Sequence, residues 1–366
     1  MKGVQAALIL CGGFGTRLRP LTCFRPKPLI PFLNEPLIVR LIRKVVSEGV
    51  RKIVLATGFG SEIIEREVKK HGLNTEVIFS VEDKPLGTGG AIKNASKHLE
   101  KYERFFVINA DVVCEVRLGE VCKQHFKEKP LATIVLKQVE DVSGLGVAAL
   151  KGGKIERFVE KPRPGEAPSN WINAGIYLLE KQVLEMIPRR ENELSLERDI
   201  FPKIAEEGEM YAYLYSDIWF DIGTIEKYIA ATRSYLDRFL KTGFINLPTN
   251  IDLHKVKIIQ PVMFGRNVIV ENKVEIGPHT VIGDQVRIES GVKIRESIIF
   301  NDVKFGENST ICNSIVASNC VIGREANINR SVIADWVEVS DRLKVEETSI
   351  FHGKKVYRPL LNEVFY

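Results

Sequence analysis

Residues 6–28 read AALILCGGFGTRLRPLTCFRPKP. Ala6 to Leu10 is continuously apolar, the pattern of a strand buried on both faces, and it breaks at Gly12-Gly13-Phe14-Gly15. Glycines in three of four positions admit positive φ and keep Cβ atoms away from a ligand. Such a loop can align its N–H groups into an anion-binding concavity. Arg17, Arg19 and Lys27 follow, the last held between Pro26 and Pro28, which restrict where its ammonium points. Strand, glycine loop and fixed cations describe a phosphate cradle. No Gly-Lys-Ser/Thr closes it, so it is not a Walker A loop. Leu18 stands at the third glycine position, so it is not the dinucleotide fingerprint either.

Working outward from this cradle, apolar residues recur at helical spacing between Glu35 and Glu48, and Gly49 ends the run. KIVLAT (52–57) is a strand, Ser61 opens a charged helix to about His71, and 76–80 is a strand again. This alternation implies a Rossmann-like α/β domain whose mixed, mostly parallel sheet carries helices on both faces. Ligands then sit beyond the carboxyl ends of the strands. EDKPLGTGGAIKNA (82–95) is a second glycine turn opening a helix. Thr88 is either its N-cap or part of a glycine-floored slot whose amides read the edge of a flat base. RFFVIN (104–109) is a buried strand leading into Asn109-Ala110-Asp111, which turns Asp111 toward the crevice as a cap or a Mg²⁺ ligand.

After a helix over 117–128 and a strand over 132–137, the pattern becomes extended at 146–150, 154–159 and 171–179. Glu160-Lys161-Pro162 closes one of these strands. Asn173-Ala174-Gly175 interrupts another, and a strand glycine often marks close approach of a ligand. A helix over 196–207 covers this wall, and 211–215 and 218–223 return to the sheet, making Asp221 a second strand-end acid. A last helix spans 225–240.

FINLPTN (244–250) reads as a linker, dividing a first domain, 1–243, from a second, 244–366. There the period becomes six: Phe264, Val270, Ile276, Ile282, Ile288, Ile294 and Phe300, then Phe305 and Ile311 after a one-residue slip, then Ile322 and Ile328. Hexapeptide repeats led by aliphatic residues specify a parallel β-helix. Its end coil must be capped or paired. The segment 352–366 is expected to cap it or dock on a neighbour, and a homo-oligomer through the β-helix is expected. His279, in the repeat turn IGPHTV, leaves acyl transfer as a lesser alternative for this domain.

A chain of 366 residues accommodates two domains. A net charge of +5 without a basic, aromatic-laced stripe argues against a nucleic-acid partner. Six cysteines without a C-x-x-C pair suit reduced thiols inside a cell. The N-terminus lacks signal-peptide character, and no run approaches the roughly 18 apolar residues of a membrane span, so a cytoplasmic protein with no membrane partner is expected.

LCGGFGTRLRPLT and PKP resemble the opening of sugar-nucleotide pyrophosphorylases. PLGTGGA, NAD (109–111), EKP (160–162), NAGIY and WFDIG follow in that family's order. FFVINADVVCEV and LERDIFPKIAEEG look like its mannose-1-phosphate guanylyltransferase branch, and LGTGGAIKNA is also similar to heptose-phosphate guanylyltransferases. The resemblance covers the whole chain. It implies a nucleotidyltransferase domain followed by a left-handed β-helix, GTP and a sugar 1-phosphate as substrates, and Mg²⁺ as cofactor. Leu10, Gly12, Gly13, Gly15 and Thr16 would wrap the nucleotide, with Arg17 on the departing phosphates and Lys27 at the reacting centre. Gly87 and Thr88 would border the base, and Asp111 and Asp221 would hold Mg²⁺. Gly146, Glu160, Asn173 and Gly175 would line the sugar pocket, with Lys161 on the sugar phosphate. Leu145 departs from the family's usual Tyr, and Ala110 from its Gly or Ser. Glucose-1-phosphate uridylyl or thymidylyl transfer and heptose-1-phosphate guanylyl transfer remain alternatives. So does a non-catalytic sugar-nucleotide-binding subunit, although Arg17, Lys27, Asp111, Lys161 and Asp221 are all kept.

Overall fold

The computed structural model describes residues 4–189, 192–243 and 254–366. The linker expected at 244–250 lies outside them. Contacts divide the chain into two compact units. The first holds the residues through Phe14, then Pro26–Leu29 and Leu37–Ile222; the second holds Gly15–Arg25, Ile30–Pro36 and the chain from Gly223 onward.

A nine-stranded sheet forms the first unit. From one edge it runs Glu76–Val81, Lys52–Thr57, Ala6–Leu10, Arg104–Asn109, Trp171–Glu180, Ala132–Gln138, Met210–Tyr215, Lys154–Glu160, Gly146–Lys151. Only Trp171–Glu180 and Lys154–Glu160 run against the other strands. The continuous apolar runs are explained by burial of both faces. Ala7 and Ile9 pack beneath the helices Leu37–Ser47, Ser61–Lys70 and Leu118–Glu128, while Ala6 and Leu8 face Gly87–Ala95 and Phe201–Glu206. Two sequence expectations change. Trp219–Asp221 does not rejoin this sheet but pairs with Val112–Cys114 in a separate antiparallel ribbon. Both flanks of Arg104–Asn109 are already taken, by Ala6–Leu10 and Trp171–Glu180, so the returning chain finds no free edge there. The helix expected over 196–207 opens as a single π-turn, Leu196–Ile200, before Phe201–Glu206 continues it.

The second unit carries three parallel sheets of seven, seven and six short strands, the architecture of a left-handed β-helix. Phe264 stacks on Ile282 after 18 residues, but Ile282 stacks on Ile299, not Phe300, after 17, and Ile299 on Val316 after another 17. The slip therefore falls one position earlier than the spacing suggests, because the side entered past Glu296 is one residue shorter. The coil corners use left-handed residues, among them Asn267, Asn308, Asn313 and Arg330. Asparagine tolerates that conformation better than most residues. Residues 352–366 do not cap the end; their strands Lys355–Val356, Leu360–Leu361 and Val364–Phe365 extend all three sheets. The helix Ile225–Lys241 packs within this unit. Thr224 caps it, Tyr228 donates to the Pro31 carbonyl, and Asp237 bonds His279 Nε2 at 2.7 Å. His279 is thereby engaged structurally.

Candidate active site

Two neighbouring cavities open in the first unit at the carboxyl ends of its strands. One, of about 280 Å³, is bordered by Leu10 to Gly13, Lys27, Glu82, Leu86 to Thr88 and Asn109 to Asp111. A Cβ on Gly12 would come no nearer than 3.9 Å to Glu82, and one on Gly13 would meet nothing within 4 Å. Packing does not demand these glycines; bare backbone facing the cavity is what they provide. Gly15, Thr16 and Arg17 belong by contact to the other unit and line neither cavity. Gly15 takes φ 64° and opens the 3₁₀ turn Thr16–Leu18, on which Arg17 is exposed. Lys27 is 13% exposed and pairs its ammonium with Asp111 Oδ2. Glu82 accepts from Leu86 N at 3.3 Å, and burial raises its carboxyl above the usual range. Burial, with Asp111 and Glu82 adding, holds Cys11 as a neutral thiol.

The second cavity, of about 520 Å³, brings together Gly146, Glu160, Lys161, Asn173, Gly175 and Asp221, all singled out from the sequence, and Leu145 lines it too. Its wall toward the first cavity is shared: Gly87, Thr88, Asn109 and Asp111 border both. A Cβ on Gly146 would stand 2.6 Å from Glu160 Oε2, so glycine lets that carboxylate come close. Gly175 takes φ 73°, and a Cβ there would strike Asn109 Nδ2 at 2.7 Å. The strand is bulged between Asn173 and Tyr177, as its glycine suggested. Lys161, left-handed at φ 49° and largely exposed, sits 3.7 Å from Glu160. Burial raises the Glu160 carboxyl, and the charge of Glu197 adds to the shift.

The acids meet through the backbone: Asp221 pairs in register with Val112, and Ile222 N donates to the Asp111 carbonyl at 2.8 Å. Between the cavities, Asn109 Oδ1 is buried without a hydrogen-bond partner. Two carboxylates and an unsatisfied amide oxygen are hard donors that suit Mg²⁺, a cation that keeps its remaining positions for water and phosphate oxygens. The residues present fit that ion.

The family model described as Nucleotidyl transferase matches residues 6–238, and that of the GMPPB C-terminal domain matches 258–364. The chain belongs to the nucleotidyl transferase family. It is 35% identical over 363 residues to a mannose-1-phosphate guanyltransferase of Aspergillus oryzae, covering 96% of each chain. It is 36% identical over 350 residues to mannose-1-phosphate guanylyltransferase 1 of Arabidopsis thaliana, covering 92% of this chain and 93% of that one. Among solved structures, HddC of Yersinia pseudotuberculosis complexed with GMP-PN is 32% identical with a TM-score of 0.54, covering 63% of this chain and all of its own. A UDP-glucose pyrophosphorylase complexed with UDP-glucose, 24% identical with a TM-score of 0.57, shares the fold.

In this nucleotidyl transferase the GTGG turn does something other than its glycines suggested. The helix begins at Gly87, so Thr88 is not its N-cap. Gly89 N and Gly90 N both donate to the Leu194 carbonyl, at 2.8 and 3.2 Å, and are not free to read a base. A Cβ on Gly87 or Gly89 would overlap Leu194 at 2.5 or 2.1 Å. These glycines let residues 194–196 dock on the helix start. Sequence reasoning missed Glu82, Glu193, Ser195, Glu197, Arg198 and Trp219, which line one cavity or the other. Glu82 had a legible signal, since it directly follows a sheet strand on the ligand edge. Glu197 had none: its partner Thr88 lies 109 positions away.

Proposed function

We propose that this nucleotidyl transferase condenses GTP with mannose 1-phosphate, giving GDP-mannose and pyrophosphate. The observation that carries this reading is Asp111 at the wall between two cavities, with Lys27 in one and Lys161 in the other. Two anionic substrates can then meet at one acid-held centre with a cation on each side. The mannose-1-phosphate guanylyltransferases to which the chain is similar over nearly its full length support the choice of mannose and guanine. Glu82 supports guanine independently. A carboxylate offers two acceptors, and guanine presents two adjacent donors, N1–H and its exocyclic amine.

An oxygen of the sugar phosphate attacks the α-phosphorus. The bond to the bridging oxygen of the β-phosphate breaks, and pyrophosphate leaves with that electron pair. The nucleophile is already anionic, so no side chain need remove a proton. Catalysis rests on positioning and charge neutralisation. Lys27 neutralises the reacting phosphate, and Lys161 orients the sugar phosphate. Gly12 and Gly13 present backbone to the triphosphate, and Glu160 accepts from sugar hydroxyls. Nucleotidyltransferases of this family use a divalent metal. Asp111 and Asp221 would hold Mg²⁺, which supplies charge neutralisation between the two substrates when bound.

A pyrophosphate-release screen of each nucleoside triphosphate against mannose, glucose and heptose 1-phosphates tests this. GTP with mannose 1-phosphate is expected to be fastest. A higher kcat/KM for another pair overturns the assignment. Glu82→Gln, which replaces one acceptor with a donor, should lower the preference for GTP over ATP.

A further inference from the structure

A chain of hydrogen bonds, buried at Glu197 and Tyr177, joins the wall shared by the two cavities to the far side of the second. Thr88 Oγ1 donates to Glu197 Oε2 at 2.5 Å and accepts from Leu196 N at 2.9 Å. Ser195 Oγ donates to the same carboxylate at 2.9 Å, and the Tyr177 hydroxyl donates to its other oxygen at 3.1 Å. Tyr177, fully buried, accepts in turn from Asn173 Nδ2 at 2.8 Å, and Asn173 Oδ1 accepts from Gly175 N at 2.9 Å.

Glu197 is only 8% exposed, and no described Lys or Arg stands within ion-pair distance of it. A buried carboxylate without a cation is costly unless its lone pairs are met by donors. Here three hydroxyls meet them, and each comes from a different part of the site. The local fold also aims the carboxylate. Glu197 sits on the single π-turn Leu196–Ile200, a form that recurs at functional sites. Its segment is fastened to the helix start by Leu194 N on the Leu86 carbonyl at 2.8 Å and by Gly89 N on Leu194. A displacement of Thr88 therefore carries Glu197 with it.

We propose that Glu197 is a positioning residue that couples occupancy of the nucleotide cavity to sugar-phosphate affinity in the second cavity, through Thr88 on one side and Tyr177 and Asn173 on the other. This rests on the two-substrate reading above. A nucleotide against Gly87 and Thr88 fixes the helix start. The network transmits that constraint to Asn173 and so to the strand bulge at Gly175, which borders the sugar cavity. Coupling of this kind is a ratio of affinities, and it is reciprocal.

The test measures mannose 1-phosphate affinity of the full chain by calorimetry. It is done with and without a GTP analogue carrying methylene between the α- and β-phosphorus, which cannot release pyrophosphate. In the unmodified protein the analogue should tighten sugar-phosphate binding by about fivefold or more. Glu197→Gln and Tyr177→Phe should each bring that factor to within about twofold of one, with melting temperatures near the parent's. The double variant should lose no more than either single one, because both cut the same chain. An undiminished factor in a folded variant overturns the proposal, as does a parent factor of one. Should Glu197→Gln fail to fold, Tyr177→Phe, which removes one oxygen, decides alone. If GTP and mannose 1-phosphate release no pyrophosphate, the substrate assignment fails; the titration is then made with the pair that reacts, so the two failures are told apart.

Discussion

Two chains of polar side chains run through this protein, and they are built on opposite principles. In the first unit, Thr88, Glu197, Tyr177 and Asn173 form an irregular chain around one carboxylate beside a cavity. In the second, Ser297, Ser314, Ser331 and Thr348 form a column of neutral hydroxyls spaced by 17 residues. Each hydroxyl of the column donates to a carbonyl two residues back in its own coil. Those of Ser297, Ser314 and Ser331 also accept an N–H from the next coil, at 3.1–3.2 Å. The column meets its hydrogen bonds locally and repeatedly, so its three serine rungs share one environment. The chain around Glu197 has no repeat, and each member has a different task. Periodic burial serves stability; aperiodic burial of charge serves a site.

Substitutions can break this contrast. The largest effect should come from the acid at the shared wall. Asp111→Ala is expected to lower turnover on the order of 10² to 10³-fold or more while the melting temperature holds, measured by pyrophosphate release and calorimetry. Parent-like turnover would remove Asp111 from the reacting centre. Lys27→Ala should follow with a loss of similar order. In the second unit the same measurements should separate the other way. A Cβ on Gly283 would lie 2.6 Å from the Phe300 backbone and from Asn301 Oδ1 in the next coil. Gly283→Ala should cost about 1–3 kcal/mol by crowding, with activity per folded molecule unchanged. Ser314→Ala, which strands the buried Ser331 N–H, should cost about 1 kcal/mol.

The smallest effect concerns pH. The raised Glu160 carboxyl means the folded state holds its proton at pH values where the unfolded chain has released it. Its contribution to stability therefore declines as pH rises from the ordinary carboxylate range through the raised value. Glu160→Gln should leave the protein as stable as the parent or slightly more so at neutral pH, while weakening sugar-phosphate binding. A loss of stability there would reverse the sign of this argument.

What the sequence disclosed follows the same division. Unbroken apolar runs located the strands around the glycine loop because burial on both faces leaves no polar alternation. The sixfold aliphatic spacing disclosed the β-helix because each coil repeats one environment. The hydroxyl column stayed hidden because its period is 17, visible only once Ile299 rather than Phe300 is seen to stack on Ile282. Glu160, Lys161, Asn173 and Asp221 were legible because each ends or interrupts a strand at the ligand edge. Glu197 was not, since among helical residues it looks like any solvent-facing acid. The GTGG turn misled because glycine marks close approach without saying of what, and here the approaching group is Leu194.

The 17-residue coil has one more consequence. Asn313 and Arg330 occupy equivalent left-handed corners, at φ 48° and 46°, each directly before a column hydroxyl. Joining Asn313 to Ser331 by deleting 314–330 would pass one corner straight into the next rung with the stacking intact. A single-residue deletion within a strand would turn that strand's aliphatic side chain out of the interior, whereas at a corner it is absorbed, as it is between Ile282 and Ile299, where the coil has 17 residues against 18 between Phe264 and Ile282. The second unit is therefore a ruler graduated in coils, which can be shortened by a whole division without disturbing the stack on either side.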